Sequence, residues 1–130
     1  MRIPAFLASL VLTLPLSAAI FTVTTASDSG PGSFRQAIID ANAVAGPHSI
    51  QFAIGSGPQS IAVLSPLPEV TRDGVDIDAR TQPGYAGAPI VELNGAAAGI
   101  MVDGLRIMAD NGSVRGLVIN RFGAVGLYVN

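Results

Sequence analysis

The chain contains no cysteine, no tryptophan and no lysine in 130 residues. Without cysteine it has no disulfide staple and no thiolate to hold a metal. Without lysine, its positive charge rests on seven arginines set against nine carboxylates, for a formal net charge of −2. No basic run stands anywhere, so the electrostatic footprint of a nucleic-acid binder is missing. Aromatic residues make up only 5% of the chain, which disfavours a stacked aromatic platform for sugar rings. Glycine and proline, at 15 and 9 residues, are plentiful. That composition suits many tight turns better than long helices.

The first residues read as a targeting segment. Arg2 supplies a short basic region, Ala5 to Leu16 is apolar apart from Ser9 and Thr13, and Ser17-Ala18-Ala19 offers small residues for cleavage after Ala19. The apolar stretch falls short of the ~20 residues that a spanning helix needs. A signal peptide over 1–19, no stable membrane span, and a mature chain that is secreted or held at the cell surface are the expectations.

After it, Ile20 to Thr25 is β-branched and alternating, which predicts a strand. Ser33 and Gln36 form the two halves of a capping box, and Phe34, Ala37, Ile38 and Ala41 follow at helical spacing until Gly46-Pro47. The pattern predicts a short amphipathic helix over Ser33–Ala45. Ser49 to Ile54 and Ser60 to Leu64 read as further strands. From Gly74 a rhythm takes over: Val75 to Asp78, Ile90 to Asn94, Leu105 to Ile107, Val114 to Ile119 and Gly126 to Asn130, separated by Gly, Asn, Asp, Pro and Ala.

One such strand cannot bury its apolar side alone, but stacked copies can. Leu93 to Leu117 and Ile77 to Met101 are each 24 residues apart, and Leu105 to Leu127 is 22, spacings that suit one coil of short strands and turns. The predicted fold is therefore all-β: a right-handed parallel β-helix, or solenoid, with the helix as an N-terminal cap. The competitor is an antiparallel meander turning at Asp73-Gly74, Asn94-Gly95, Asp103-Gly104 and Asn111-Gly112. The near-continuous apolar run Gly116-Leu117-Val118-Ile119 favours buried parallel strands. The expected divisions are the leader, a strand and capping helix over 20–48, and the first coils over 49–130. The sequence stops inside a predicted strand, so an incomplete fragment of a longer chain is expected, with downstream domains as its neighbours.

Several blocks carry a resemblance. Phe21-Thr22-Val23-Thr24, Asp28-Ser29-Gly30-Pro31-Gly32-Ser33-Phe34-Arg35-Gln36-Ala37-Ile38 and Asp40-Ala41-Asn42 resemble the N-terminal box of the CSLREA-type secreted bacterial proteins. Ser65-Pro66-Leu67-Pro68, Val75-Asp76-Ile77-Asp78, Thr81-Gln82-Pro83-Gly84, Val91 to Gly95 and Val114 to Phe122 resemble that family's first coils in order. Gly32, Phe34 and Gln36 stand where the family's box has Cys, Leu and Glu. The resemblance implies a right-handed parallel β-helix of the pectin lyase-like kind, a fold shared with pectate lyases, polygalacturonases and phage tailspikes. It also implies a place at the start of a longer surface or secreted protein. A shared fold does not confer an activity.

The chemistry-bearing residues are sparse. Alternation turns Val75 and Ile77 inward and Asp76 and Asp78 outward; Glu92, between Val91 and Leu93, also faces out, and Asp103 precedes a glycine turn. Outward carboxylates could hold Ca²⁺, which takes several oxygens, so these four are the candidate calcium ligands. As the resemblance to pectate lyases implies, a lyase would also need a strong base, for which Arg106 and Arg115 are the candidates. Equally, the four acids are ordinary solvated or turn-forming positions. The single His48 lies in the loop after the helix and has no Ser/His/Asp or second metal ligand at a useful spacing. Asn94 and Asn120 fall at matching turns and suggest an internal polar ladder. The function expected is a scaffold or a carbohydrate- or cell-surface-binding unit with no catalysis evident. The alternative is a polysaccharide lyase of the pectate lyase type, cleaving polyuronate with calcium.

Overall fold

A computed structural model describes residues 18–130. The leader expected over 1–19 lies, up to residue 17, outside the described residues. Among these are nine short strands: β1 (Ala19–Val23), β2 (His48–Phe52), β3 (Gln59–Ala62), β4 (Val75–Asp78), β5 (Val91–Asn94), β6 (Leu105–Ile107), β7 (Ser113–Arg115), β8 (Leu117–Asn120) and β9 (Leu127–Val129). Helix α1 (Phe34–Ala43) follows β1, and a 3₁₀ turn (Ala79–Thr81) follows β4.

The strands form three small sheets, ordered β1-β2-β4-β7, β3-β5-β8 and β6-β9. Every pairing between these strands is parallel. No hairpin joins them, so the meander is not the fold. The all-β solenoid is corrected as well: the sheets are separate, with four, three and two strands, none closes on itself, and a helix contributes to the core. The chain is mixed α/β. The apolar run Leu117-Val118-Ile119 does lie in a parallel strand, but at a sheet edge with Val118 exposed, so the burial expected for it on both faces is not found. Apolar runs carry no information on how many sheets share their strands.

The run Val114 to Ile119, read from the sequence as one strand, shows why. It breaks at Gly116, whose φ of +73° turns the chain between β7 in the first sheet and β8 in the second. A left-handed φ of this kind is tolerated by glycine and strained in other residues.

Alternation sets which side chains enter the core. Val75 and Ile77 of β4, Val91 and Leu93 of β5, and Leu105 and Ile107 of β6 are buried, while Leu117 and Ile119 of β8 pack half-buried against them. Helix α1 adds Phe34, Ala37, Ile38 and Ala41. Phe34 meets Phe52 of β2 with ring centroids 5.5 Å apart. Burying side chains of this size contributes about 1.5–3 kcal/mol each.

Ser33 caps α1, its Oγ accepting the Gln36 N–H at 3.1 Å. The reciprocal half of the capping box is not formed: Gln36 Nε2 donates to Asp40 Oδ1 instead, and the Ser33 N–H goes to the Gly30 carbonyl. Arg35 ties the helix to two loops, donating to Asp28 Oδ1 at 3.0 Å and to the carbonyls of Ser65 and Pro66. His48 opens β2 rather than lying in a loop, and it is buried. Its Nδ1 accepts the Ala19 N–H at 3.2 Å, which leaves Nε2 to donate to the Val44 carbonyl at 3.0 Å.

Candidate functional site

The outward face of the β3-β5-β8 sheet carries the most organised polar cluster. Register places Ser60, Glu92 and Val118 in one row and Ala62, Asn94 and Asn120 in the next. Between these two rows lies Ile61-Leu93-Ile119, which points inward and fixes the outward parity of its neighbours.

Glu92 is the centre of the cluster. Its Oε1 accepts from Ser60 Oγ at 2.7 Å and from Asn94 Nδ2 at 3.1 Å, and its Oε2 accepts from Asn120 Nδ2 at 3.0 Å. The Ser60 hydroxyl, then the Asn120 and Asn94 amides, hold the carboxyl below its ordinary range, and Arg121 adds attraction. Glu92 is thus ionised at neutral pH, with side chains from three strands gripping it. The carboxamide of Asn120 faces Glu92 with its nitrogen, which leaves Asn120 Oδ1 buried and without a partner. Beside this cluster runs an open groove of about 370 Å³, walled by Pro58, Pro89, Ile90 and Val118 and edged by Ser60 and Glu92.

Comparison of the chain with family models, with curated proteins and with solved structures finds no match.

The other residues singled out in the sequence are held apart from this face. Asp76 and Asp78 lie on β4 in the first sheet, and Asp103 stands just before β6 in the third. Asp76 accepts from Ser113 Oγ at 2.8 Å. Asp78 caps the 3₁₀ turn and pairs with Arg80 through both carboxylate oxygens at 2.9 Å. Asp103 accepts from the Val125 N–H and from Arg106 Nη1. Among the described residues no group of three or more His, Cys, Asp or Glu is placed to hold a metal ion.

Arg106 is clasped by Asp103 at 2.6 Å and Glu69 at 3.0 Å, with the Tyr128 ring 4.6 Å from its guanidinium carbon. The Asp103 contact first, aided by Glu69, pushes its pKa further up. A base must give up its proton before it can act, and these partners oppose that. Arg115 lies exposed on β7, opposite Asp78 in the sheet.

Glu92 was thus among the sequence candidates; Asn94 and Asn120 do fall opposite each other, but on strands and with their amides turned outward onto Glu92, not as an internal ladder at turns. Ser60 and Val118 were missed, because each reads as an ordinary outward residue until the sheet register places it beside Glu92. Among the described residues no helix is long and apolar enough to cross a membrane.

Proposed function

We propose that this chain is a non-catalytic binding module of a secreted or surface protein, and that it holds a carbohydrate chain of a cell surface in the groove beside Glu92. The observation that carries the reading is the fixed Glu92 carboxylate, gripped by Ser60, Asn94 and Asn120 at the edge of a groove with apolar walls. Sugar rings present C–H faces and hydroxyl rims together, and a groove that pairs apolar walls with a few fixed polar atoms suits both. Ser60, Asn94 and Asn120 fix the Glu92 carboxylate in place, and about one of its acceptor positions stays open towards the groove. Arg106 and Asp103 neutralise each other, which lends no support to a lyase.

The test is retention of the chain on a panel of insoluble cell-wall polysaccharides, comparing wild type with Glu92→Ala and Val118→Asp. Retention on at least one polymer, lost in both variants while their circular dichroism stays native, is the expected result. Equal retention of all three proteins would move the site elsewhere. Retention on no polymer would overturn the reading.

A further inference from the structure

We propose, on the reading just given, that the groove beside Glu92 selects an uncharged, hydroxyl-rich chain, a neutral polysaccharide, and rejects a polyuronate. The Ser60 Oγ–H is already spent on Glu92 Oε1 at 2.7 Å, so Ser60 has only oxygen lone pairs left to offer. Ionised Glu92 has no proton to give. Of the roughly four acceptor positions on a carboxylate, three are taken by Ser60, Asn94 and Asn120. One is left for a ligand. Two of the three polar side chains that line the groove are therefore acceptors alone, and the third, Gln59, both donates and accepts.

The complement of such a rim is a ligand that donates. A sugar hydroxyl donates; a uronate carboxylate only accepts, and it brings a negative charge against Glu92. Arg121 lies near enough to act on Glu92, but it does not line the groove, so it tempers that charge without offering an anion its donors there. The apolar walls Pro58, Pro89, Ile90 and Val118 fit the C–H faces of uncharged rings.

The experiment is affinity electrophoresis of the full 130-residue chain through gels containing soluble neutral glucan, mannan, galactan or xylan, or polygalacturonate, all at one ionic strength. The expected result is retardation by at least one neutral polymer at a concentration tenfold or more below that needed for polygalacturonate. Glu92→Gln should weaken the neutral interaction severalfold. Because Glu92→Gln can disturb the sheet face, Val118→Lys is the second variant. Val118 is exposed, and a cation there should draw polygalacturonate in and narrow the ratio. Polygalacturonate binding as tightly as every neutral polymer, or a ratio unmoved by Val118→Lys, would overturn the selectivity while leaving a carbohydrate-binding groove. Retardation by none of the polymers would overturn both.

Discussion

Gln82 pairs with the backbone of Ile54 as a neighbouring strand would. Its Oε1 accepts the Ile54 N–H at 2.8 Å and its Nε2 donates to the Ile54 carbonyl at 2.8 Å. The same amide also donates to the Gly57 carbonyl at 3.1 Å. One residue earlier, Thr81 Oγ1 accepts the Phe52 N–H at 2.8 Å. Strand β4 stops at Asp78, where the chain turns away, yet β2 and the residues after it still need partners. Two side chains supply them.

Gln82 is 1% exposed, so its loss cannot be made good by water. Gln82→Leu keeps the volume, strands the two buried backbone groups of Ile54, each at about 1–3 kcal/mol, and removes the donor to the part-buried Gly57 carbonyl; the two Ile54 groups alone predict a loss of about 2–6 kcal/mol in urea unfolding. Gln82→Glu should be worse at neutral pH than in mild acid, since only the protonated carboxyl can still donate to the Ile54 carbonyl. A Leu variant as stable as wild type would show that the pairing contributes nothing net.

Phe34 anchors α1 against β2 and is 1% exposed. Phe34→Ala should destabilise by about 3–5 kcal/mol, the range for truncating a buried phenylalanine. Scanning calorimetry should show a clearly lower Tm. An unchanged Tm would mean that α1 is not part of the cooperative core.

The contrast between these two positions shows what was legible in the sequence. Phe34, Ile38 and Ala41 announce their burial by spacing, and Val75-Asp76-Ile77-Asp78 announces its parity by alternation, so the helix and most strands could be placed. Gln82 sits between Thr81 and Pro83-Gly84, where a polar residue reads as loop. Its burial depends on Ile54, 28 residues away, and local pattern does not reach that far. The same limit applies to Ser60, which meets Glu92 only through register. It applies to the sheets too, since their number depends on corners such as Gly116 that interrupt an apolar run without altering its composition.

Gly116 should resist substitution for two separable reasons. Its φ is +73°, and a Cβ there would lie 2.8 Å from the Arg80 backbone nitrogen. Gly87 has φ +97° but open space around it. Gly87→Ala should therefore show strain alone, on the order of 1–2 kcal/mol, and Gly116→Ala distinctly more, because backbone must move. Equal losses in chemical denaturation would remove the close approach as a cause.

Acid should weaken the fold in a defined direction. Burial opposes ionisation of Asp28, but the Leu64 N–H and Arg35 outweigh it and bring its pKa down. Arg80 does the same for Asp78, and the Val125 N–H with Arg106 for Asp103. A folded pKa below the unfolded value of about 3.9 means stability that is present above that pH and lost as pH falls through the folded value. Urea midpoints should hold steady from neutral pH down to the carboxylate range and drop below it. Asp28→Asn should lower the plateau and flatten the drop. A midpoint that rises in acid would contradict the assignment of these pairs.

Among the described residues, strands β7, β8 and β9 each have a strand neighbour on one side only, at one edge of their respective sheets. Around them Val125, Leu127 and Val129 are more than 40% exposed, and Val118 and Tyr128 only slightly less. After Arg115 the sole charged residue is Arg121, so little charge guards these edges. Unpaired strand edges with apolar neighbours and few charges are templates for association. At the other edge of the four-stranded sheet, β1 has α1 packed on it. In a solution of the 130-residue chain alone, the complement on offer to these edges is the same face of a second copy. The 130-residue chain should sediment as a species that grows with concentration, and Val129→Lys, at a position 65% exposed, should return it towards monomer by placing like charges opposite each other. Val129 leaves the Arg106–Tyr128 contact untouched, so a native spectrum is expected for this variant. A wild-type chain that stays monomeric at every concentration would show that these edges are protected in solution.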